Sequence, residues 1–455
     1  MRRQEINRLH RELEQFLDDL TGDEHLPRRR SMKLYVTGLL LDGDRKSIGA
    51  MAARLVDDAR EAEAMRQQLQ ECAAISTWSD ERLRCKLAQK IEREMPGIEA
   101  LVVDDTGFPK QGKHSVGVHR QYSGTLGRTA NCQVATSVHL AGECGSACIG
   151  LRIYLPAAWI EDPLRRRKTG IPDDVELRTK WQIAIQLLDD ALAWGVRKHL
   201  VLADAGYGDA VEFREALTER GLAYAVGVSG THLVWPPGAK PQLPEHPAGQ
   251  SGRPRTRFVD ECHSPIAITE LARSLPRSAF RKVTWREGSR GNMSSTFACL
   301  RIRTAEGHGK RRPPSDEQWL VCEWPSGESA PTKFYLSTLP PQISHRTLVR
   351  KIKLRWRVER DYQDLKQEVG LDHYEGRTWR GFHHHATLCS VAHAFLALRR
   401  ALFPPAATAL DVAYGPAGAA NHSRSAHRSM SSLQANSHAL VEDTWAVEDL
   451  ENAIR

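Results

Sequence analysis

Long apolar segments are absent from this sequence. Nowhere do about 18 uncharged apolar residues follow one another, so the chain contains no candidate transmembrane helix. Its first residues, MRRQEINRLHRELEQFLDDL, carry acids and arginines where a secretory signal would need an apolar stretch. We therefore expect a cytoplasmic protein with no membrane partner.

Paired cysteine motifs and nucleotide-binding loops are also missing. The nine cysteines are odd in number, scattered and without any Cys-x-x-Cys pair, which favours reduced thiols. Cys144 and Cys148 have no second pair of ligands nearby, so packed or surface thiols are favoured over a zinc site. The absence of a Gly-x-Ser-x-Gly or Walker-type loop argues against acyl transfer, ATP hydrolysis and a nucleotide cofactor.

The composition that is present is typical of a folded globular protein. The 455 residues are 41% hydrophobic and 26% charged, enough for about three domains with real cores. Lysine and arginine number 64 against 56 acidic residues, which gives a net charge of +8. This excess favours a polyanionic partner.

Residues 1–95 are predicted to be helical. Apolar side chains recur at helical spacing in the first segment, at Leu9, Leu13, Phe16, Leu17 and Leu20. Further helices are predicted from about Ser47 to Gln70, with Ser47 as N-cap, and from Ser79 to Glu94. Such a region is either a small bundle or a DNA-binding domain, and its basic residues fit the second reading.

From Pro96 the pattern changes to short apolar runs typical of buried strands. Strands are predicted over residues 98–105, 131–141, 146–156, 199–204 and 222–228. A helix over about 175–194 and a second one, capped by Asp209 and stopped by Gly221, separate the later strands. The order βββαβαβ, with acids ending the first and fourth strands, is that of a ribonuclease H-like α/β domain, here beginning over residues 96–235.

The second half begins with a connector rich in proline and glycine, residues 229–254. Strand-like pieces then recur between turns, which predicts a β-rich insertion over residues 236–342. A long helix from Ser344 or His345 to Val369, stopped by Gly370, and a helix over 383–402 are expected to close the core as residues 343–402. The tail, residues 403–455, is rich in Ala, Ser, Gly, Asn and His, and we expect it to be poorly ordered.

The helix KIKLRWRVERDYQDLKQEVG carries the most unusual pattern. Its spacing predicts that Arg355, Glu359, Tyr362 and Lys366 lie along one face and that Leu354, Val358, Leu365 and Val369 pack inward. Between Arg346 and Lys366 there are eight basic residues against three acids. An exposed ladder of salt bridges is the ordinary explanation, whereas a surface that meets phosphates around a carboxylate is the functional one.

Several separated segments together resemble the DDE superfamily of insertion-sequence transposases, in the branch with a β insertion before the last glutamate. These segments are VVDDTGFPKQG, LADAGYG, RWRVERDYQDLK, the stretch from KHSVGVHRQYSG to SVHLA, and GLDHYEGRTWRGFHHHATL. The resemblance covers roughly residues 35–400. It implies a transposase that cuts the ends of its element and joins the 3′-OH to target DNA.

The resemblance assigns the catalytic and metal-binding carboxylates to Asp105, with Asp104 as the nearby alternative, and to Asp204 and Glu359. Arg355 and Lys366 match the family's cations, but Ile352 stands where the family has a tyrosine. Three carboxylates can hold two Mg²⁺ ions, for which Mn²⁺ can substitute, about 3.5–4 Å apart for an in-line displacement at phosphorus.

The implied partner is double-stranded DNA, both the terminal inverted repeats of the element and the target. A homodimer on DNA is expected, because two ends must be held together. Arg355 and Lys366 are expected to hold phosphates near the cut. Further expected DNA contacts are Arg357, Lys110, Lys113 and Arg120, although an ordinary charged surface loop explains the last three equally well. The implied setting is a bacterial cytoplasm, at the nucleoid.

Two other groups of residues leave alternatives open. His383, His384 and His385 point in different directions on a helix, so helix capping or DNA contact is favoured over metal binding. Trp285, Trp319 and Trp324 are either core residues or, as the resemblance implies, aromatics that stack on a flipped base. A non-catalytic DNA-binding derivative of a transposase and a ribonuclease H-like nuclease without strand transfer are the competing functions.

Overall fold

The computed structural model describes residues 3–244, 257–288, 291–306 and 313–403. The chain forms two compact units, and each is described separately below. The first unit contains the residues up to Ile98, Asp105–Arg197 and those from Arg357 onward. The second contains Glu99–Asp104 and Lys198–Trp356.

The first unit begins with helices. They are α1 (Arg3–Thr21), α2 (Leu26–Leu40), α3 (Ile48–Leu55), α4 (Ala62–Gln70), a π-helical turn (Glu71–Ile75) and α5 (Asp80–Glu94). The five apolar residues predicted to line α1 are all buried. The single helix predicted from Ser47 to Gln70 is wrong, because the polar segment 56–61 separates α3 from α4. The helix predicted from Ser79 is confirmed as α5, and Ser79 is its N-cap, accepting a hydrogen bond from the backbone of Arg82.

Strand β1 (Ile98–Pro109) passes from one unit into the other. The first unit continues with β2 (His119–Ser123), β3 (Arg128–Gly142) and β4 (Ser146–Ile153). β3 pairs antiparallel with both β2 and β4. β2 was not predicted, because its segment HRQYS has exposed polar residues and lacks the apolar alternation that marks β3.

Three helices follow β4: α6 (Ala157–Ile160), α7 (Pro163–Thr169) and α8 (Lys180–Ala193). The start predicted for the last of these, near Val175, is wrong by five residues. Thr179 and Gln182 form a reciprocal capping box, which fixes the first turn at Lys180.

The last elements of the first unit are α13 (Trp356–Gln363), a π-helical turn (Asp364–Glu368) and α14 (Trp379–Leu402). α14 is buried almost continuously from Gly381 to Leu398. A helix that is covered on every side shows no amphipathic stripe, and this one therefore serves as the central helix of the unit.

The second unit contains a mixed sheet and its helices. Its strands are β5 (Leu200–Ala203), β6 (Tyr224–Val228), β7 (Leu233–Trp235), β8 (Ile266–Ala267), β9 (Arg281–Gly288), β10 (Gly291–Thr304), β11 (Gln318–Trp324) and β12 (Lys333–Ser337). Its helices are α9 (Ala205–Gly208), α10 (Val211–Glu219), α11 (Ile268–Ser274) and α12 (His345–Lys353). The α/β class predicted from the sequence is confirmed.

Strand order in this unit is β1-β5-β6-β12-β11-β10-β7-β8, with β9 paired to β10. β1, β5 and β6 run parallel, and β12 joins antiparallel to β6. The strands predicted as an insertion therefore extend the same sheet. The parallel strands are buried along their length, as strands covered on both faces must be.

Two further sequence expectations concern helix ends and the chain termini. Asp209 is not the N-cap of α10, since Ala210 occupies that position and Asp209 instead accepts hydrogen bonds from Ser229 and His232. Gly221 follows α10 with a φ of 64°, as a helix stop does.

The predicted tail beyond Phe403 and residues 245–254 of the connector lie outside the described residues. Among the helices that the structure describes, none has the length and apolar character needed to cross a bilayer.

Candidate active site

Two consecutive aspartates lie within β1, at its seventh and eighth residues, one in each unit. Successive side chains of a strand point to opposite faces, so Asp104 and Asp105 diverge. In the second unit the Arg355 guanidinium donates to Asp104 at 2.7 Å. In the first unit the Lys180 ammonium donates to Asp105 at 2.5 Å. Each carboxylate is therefore held by its own cation.

Asp204 follows β5, the strand next to β1 in the second unit. The parallel register pairs Val102 with Leu202, so Asp104 within β1 and Asp204 directly after β5, each two residues further on, lie on the same face. Asp204 is the N-cap residue of α9, yet its side chain makes no capping hydrogen bond. Its Oδ1 atom is buried and has no hydrogen-bond partner. A buried carboxylate oxygen without a donor is costly, and a cation bound there would relieve that cost.

The helix predicted to carry the third acid is broken. α12 ends at Lys353 and α13 begins at Trp356, so Leu354 and Arg355 form a turn between them. The prediction that Arg355, Glu359, Tyr362 and Lys366 share one face of a continuous helix is therefore wrong. At this turn Leu354 is buried and Arg355 is paired with Asp104. The inward stripe that includes Leu354 and Val358 is confirmed.

Glu359 lies in the first turn of α13, in the first unit, and its side chain is exposed. No hydrogen bond or ion pair joins its carboxylate to another residue that the structure describes. The two other acids of this region differ from it. Asp361 and Asp364 are buried at 4% exposure each and are paired with basic side chains. Glu359 is thus the carboxylate of this segment that is open to a ligand.

Most of the eight basic residues around Glu359 contact protein oxygens. In the second unit these contacts are Arg350 and Lys351 to Glu99, Lys353 to Glu323, and Arg355 to Asp104. In the first unit they are Arg357 to the Glu143 carbonyl, Arg360 to Asp364, and Lys366 to Gly107 and Thr125. Burial lowers the pKa of Lys366. Most of these cations are therefore bonded to protein oxygens, as the ordinary explanation of a salt-bridged surface expects. Arg346, by contrast, is exposed.

The segment after Asp105 divides into two groups. The Lys110 ammonium donates to the Tyr374 carbonyl at 2.7 Å, and burial lowers its pKa. Lys113 and Arg120 are exposed, as are Arg128 and the neighbouring histidines. Within the part of the chain that the structure describes, Lys113, Arg120 and Arg128 form no ion pair, so these cations are accessible to an anionic partner.

The three consecutive histidines of α14 are buried, at 5%, 3% and 2% exposure for His383, His384 and His385. The preference for capping or DNA contact is therefore wrong. Their nitrogens face separate partners: Trp379 and Ile153 for His383, Ala73 and Trp78 for His384, and Tyr35 and Gly370 for His385. They do not converge on one ligand.

The tryptophans of the β-rich segment also have protein neighbours. Trp319 is 6% exposed and belongs to the core. Trp324 is half-buried, with the Arg277 guanidinium 3.6 Å from its ring centroid. Trp285 is half-buried beneath the Lys353 ammonium at 4.8 Å. Cations already cover these two rings.

Sequence reasoning missed a buried polar network in the first unit. Asp361 contacts His139, and His139 contacts Ser137, across separations of 222 and 2 residues. Burial lowers the pKa of His139, but Cys148 and the Asp361 carboxylate outweigh it and raise the value to about 10. The one available signal was a histidine in an otherwise apolar strand, and such a signal does not identify its partner.

Carboxylates of this kind fit the divalent cations implied by the sequence resemblance. Mg²⁺ prefers oxygen ligands, and the unpartnered Oδ1 of Asp204 is such a donor. Within neither unit does the described part of the chain group three His, Cys, Asp or Glu side chains as a ready ligand set. Asp105 and Glu359 belong to the first unit and Asp204 to the second.

Comparison with known proteins identifies the family of the chain. A family model described as DDE superfamily endonuclease matches residues 15–292, which is more than half of the chain and includes Asp104, Asp105 and Asp204. A probable transposase for insertion sequence element IS701, from Microchaete diplosiphon, is 33% identical over 171 residues, or 37% of this chain and 42% of the relative. The aligned region thus spans less than half of that relative's length. The chain is a member of the DDE superfamily of endonucleases.

Proposed function

We propose that this protein is the transposase of an insertion sequence, which cuts the ends of its element and joins the 3′-OH to target DNA. The observation that carries the proposal is Asp204. Its buried, unpartnered Oδ1 lies at the carboxyl end of a parallel strand, beside the strand that carries Asp104. Family membership and the transposase relative support the same chemistry.

The proposed architecture is a ribonuclease H-like core that is extended by the β strands before α12. The parallel strands β1, β5 and β6 support it. The helices α1 to α5 are proposed as a DNA-binding region. These assignments agree with the chain order of strands and helices, with the aspartates within β1 and with Asp204 directly after β5.

The proposed metal ligands are Asp204, Glu359 and one aspartate of β1. The sequence resemblance favours Asp105, whereas the register with Asp204 favours Asp104. Two Mg²⁺ ions, when bound, would activate the attacking oxygen and stabilise the leaving one. The chain's own part is to present carboxylates and to hold the neighbouring cations Arg355 and Lys180 against the β1 aspartates.

The residues proposed to contact DNA fall into two groups, exposed cations and cations that have protein partners. Lys113 and Arg120 are exposed cations and are the best candidates for phosphate binding. Arg355, Arg357, Lys366 and Lys110 have protein partners, so we propose that they act mainly by holding the site.

A dimer on DNA is proposed, because two DNA ends must be held together. Sizing the protein with and without end DNA tests this proposal, and a strictly monomeric complex would count against it.

The test is cleavage and strand transfer on labelled DNA that carries the element's ends, with Mg²⁺, with Mn²⁺ and with chelator. Asp204→Asn and Glu359→Gln should each abolish metal-dependent 3′-OH release and joining while leaving DNA binding. Glu212→Gln is the matched control, since Glu212 is an exposed carboxylate of the same unit as Asp204. Comparing Asp104→Asn with Asp105→Asn identifies the first ligand.

Each alternative function has its own result. DNA binding without cleavage under every metal would establish a non-catalytic derivative. Cleavage without joining would establish a nuclease. Equal activity of the wild type and Asp204→Asn would refute the assignment of Asp204.

A further inference from the structure

The inner face of α13 is tied to the rest of the first unit by buried hydrogen bonds. Asp361 is 4% exposed, and its Oδ2 lies 2.7 Å from Nδ1 of His139 on β3. Its Oδ1 accepts a hydrogen bond of 2.6 Å from the Ser146 hydroxyl on β4. Both carboxylate oxygens are therefore engaged with the strands beneath the helix.

The same network returns to α13 at the next residue. Nε2 of His139 lies 2.9 Å from the Ser137 hydroxyl, which lies 2.7 Å from the hydroxyl of Tyr362. The rings of His139 and Tyr362 meet edge to face at 5.5 Å. We call Asp361, His139, Ser137 and Tyr362 the Asp361 network. The network therefore links two consecutive residues of α13, Asp361 and Tyr362, through His139 and Ser137 on β3.

The order of contacts in this network matches that of a Ser-His-Asp triad, but the burial of these side chains excludes Ser137 as a nucleophile. Ser137 and His139 are 0% exposed, so no substrate phosphate or carbonyl can reach the hydroxyl. A buried polar network whose members are satisfied makes the elements it joins rigid. Positioning is the role that these contacts support.

α13 depends on such anchoring. It has eight residues, follows the turn at Leu354 and Arg355, and continues directly into the π-helical turn at Asp364–Glu368, so the whole helical segment is short. Helices this short are marginal without tertiary contacts. Glu359 precedes Asp361 by two residues, or about 200° around the helix axis, so fixing Asp361 inward directs Glu359 outward. The observed exposure of Glu359 agrees.

We propose that the Asp361 network is a positioning device that fixes α13 and thereby the direction of the Glu359 carboxylate in the metal-dependent reaction. This inference rests on the proposed function for its catalytic consequence. Supporting groups behind metal ligands commonly contribute about 10–100-fold to affinity or rate. The members of the network do not contact DNA or metal in this proposal; they act through Glu359.

The experiment compares Ser137→Ala and Tyr362→Phe in the full chain. Each removes one hydroxyl from the network and leaves the buried Asp361–His139 pair, so both variants should fold. Ser390→Ala is the matched control, because it removes a buried hydroxyl whose hydrogen bond among the described residues stays within α14, to the Ala386 carbonyl. Amide hydrogen exchange of α13 and α8 and cleavage at saturating DNA are measured for all of them.

We expect exchange in α13 to be about tenfold faster in both network variants and unchanged in α8. Cleavage at saturating DNA should fall about tenfold or more, with DNA affinity retained. Ser390→Ala should behave as wild type in α13 and in cleavage. This split between rate and affinity is what distinguishes positioning from general loss of stability.

Two results would overturn the inference. Unchanged exchange in α13 would show that the network does not fix the helix, whatever the activity. Faster exchange with wild-type cleavage would show that fixing the helix does not serve Glu359. If the wild type itself does not cleave, the proposed function fails, and the exchange data alone decide whether the network anchors α13.

Discussion

Acidification should destabilise the first unit through its buried histidines, and His385 shows why. It is 2% exposed on α14, where its Nδ1 lies 2.9 Å from the Tyr35 hydroxyl and its Nε2 lies 3.2 Å from the Gly370 carbonyl. A neutral ring with a proton on Nε2 satisfies both partners, donating to the carbonyl and accepting from the hydroxyl. Burial lowers the pKa of His385 to about 4.

The sign and size of the effect follow from that value. The folded pKa lies below the ordinary value of 6.5, so the unfolded chain binds the proton more readily. The stabilising contribution is complete above pH 6.5 and is lost as the pH falls toward 4. Between pH 7 and pH 5 this one group should lower the free energy of unfolding by about 2 kcal/mol. That is a large part of a typical total of about 5–15 kcal/mol.

Urea unfolding at pH 7 and pH 5, followed by far-ultraviolet circular dichroism, measures the difference. His385→Asn keeps an acceptor for Tyr35 but cannot titrate, so its loss of stability between the two pH values should be smaller than that of the wild type by about 2 kcal/mol. Leu388→Ala, which removes a buried apolar side chain of the same helix, should lower stability equally at both pH values. An unaltered pH dependence in His385→Asn would refute the reasoning.

Two further predictions concern local structure. Thr179→Ala removes the capping box of α8 and should cost about 1 kcal/mol in the free energy of unfolding, whereas Thr179→Ser should keep most of it. Gly208→Ala places a Cβ 2.0 Å from the Gly227 carbonyl oxygen, where only backbone could yield, and should destabilise the second unit by about 3 kcal/mol in the same assay. Wild-type stability of either alanine variant would contradict the contacts described.

Local sequence signals predicted helices and strands where side chains act on their immediate neighbours. The cap at Ser79, the stop at Gly221 and the buried series of α1 all depend on residues within a few positions of each other. Strand β2 was missed because its exposed side chains lack that local signal. The start of α8 was misplaced because the capping box at Thr179 outweighs the apolar pattern before it.

Features that join distant parts of the chain were not predictable in this way. The break between α12 and α13 accompanies the ion pair of Arg355 with Asp104, 251 residues away. Burial of His383, His384 and His385 requires that α14 be covered on every side, which its own sequence does not specify. The Asp361 network likewise forms only when β3 lies beneath α13.

The candidate site also combines features that the sequence predicts with features that only the tertiary structure shows. The sequence alone singled out the carboxylates that we propose for the chemistry, because short motifs carry acids beside apolar strand segments and within a basic helix, and the family comparison bears out the class of enzyme. The tertiary structure alone decided how each is held: Asp104 by Arg355, Asp105 by Lys180, and Asp204 with an oxygen left unpartnered. Motifs are set by neighbours along the chain, whereas charge pairing and burial are set by neighbours in space.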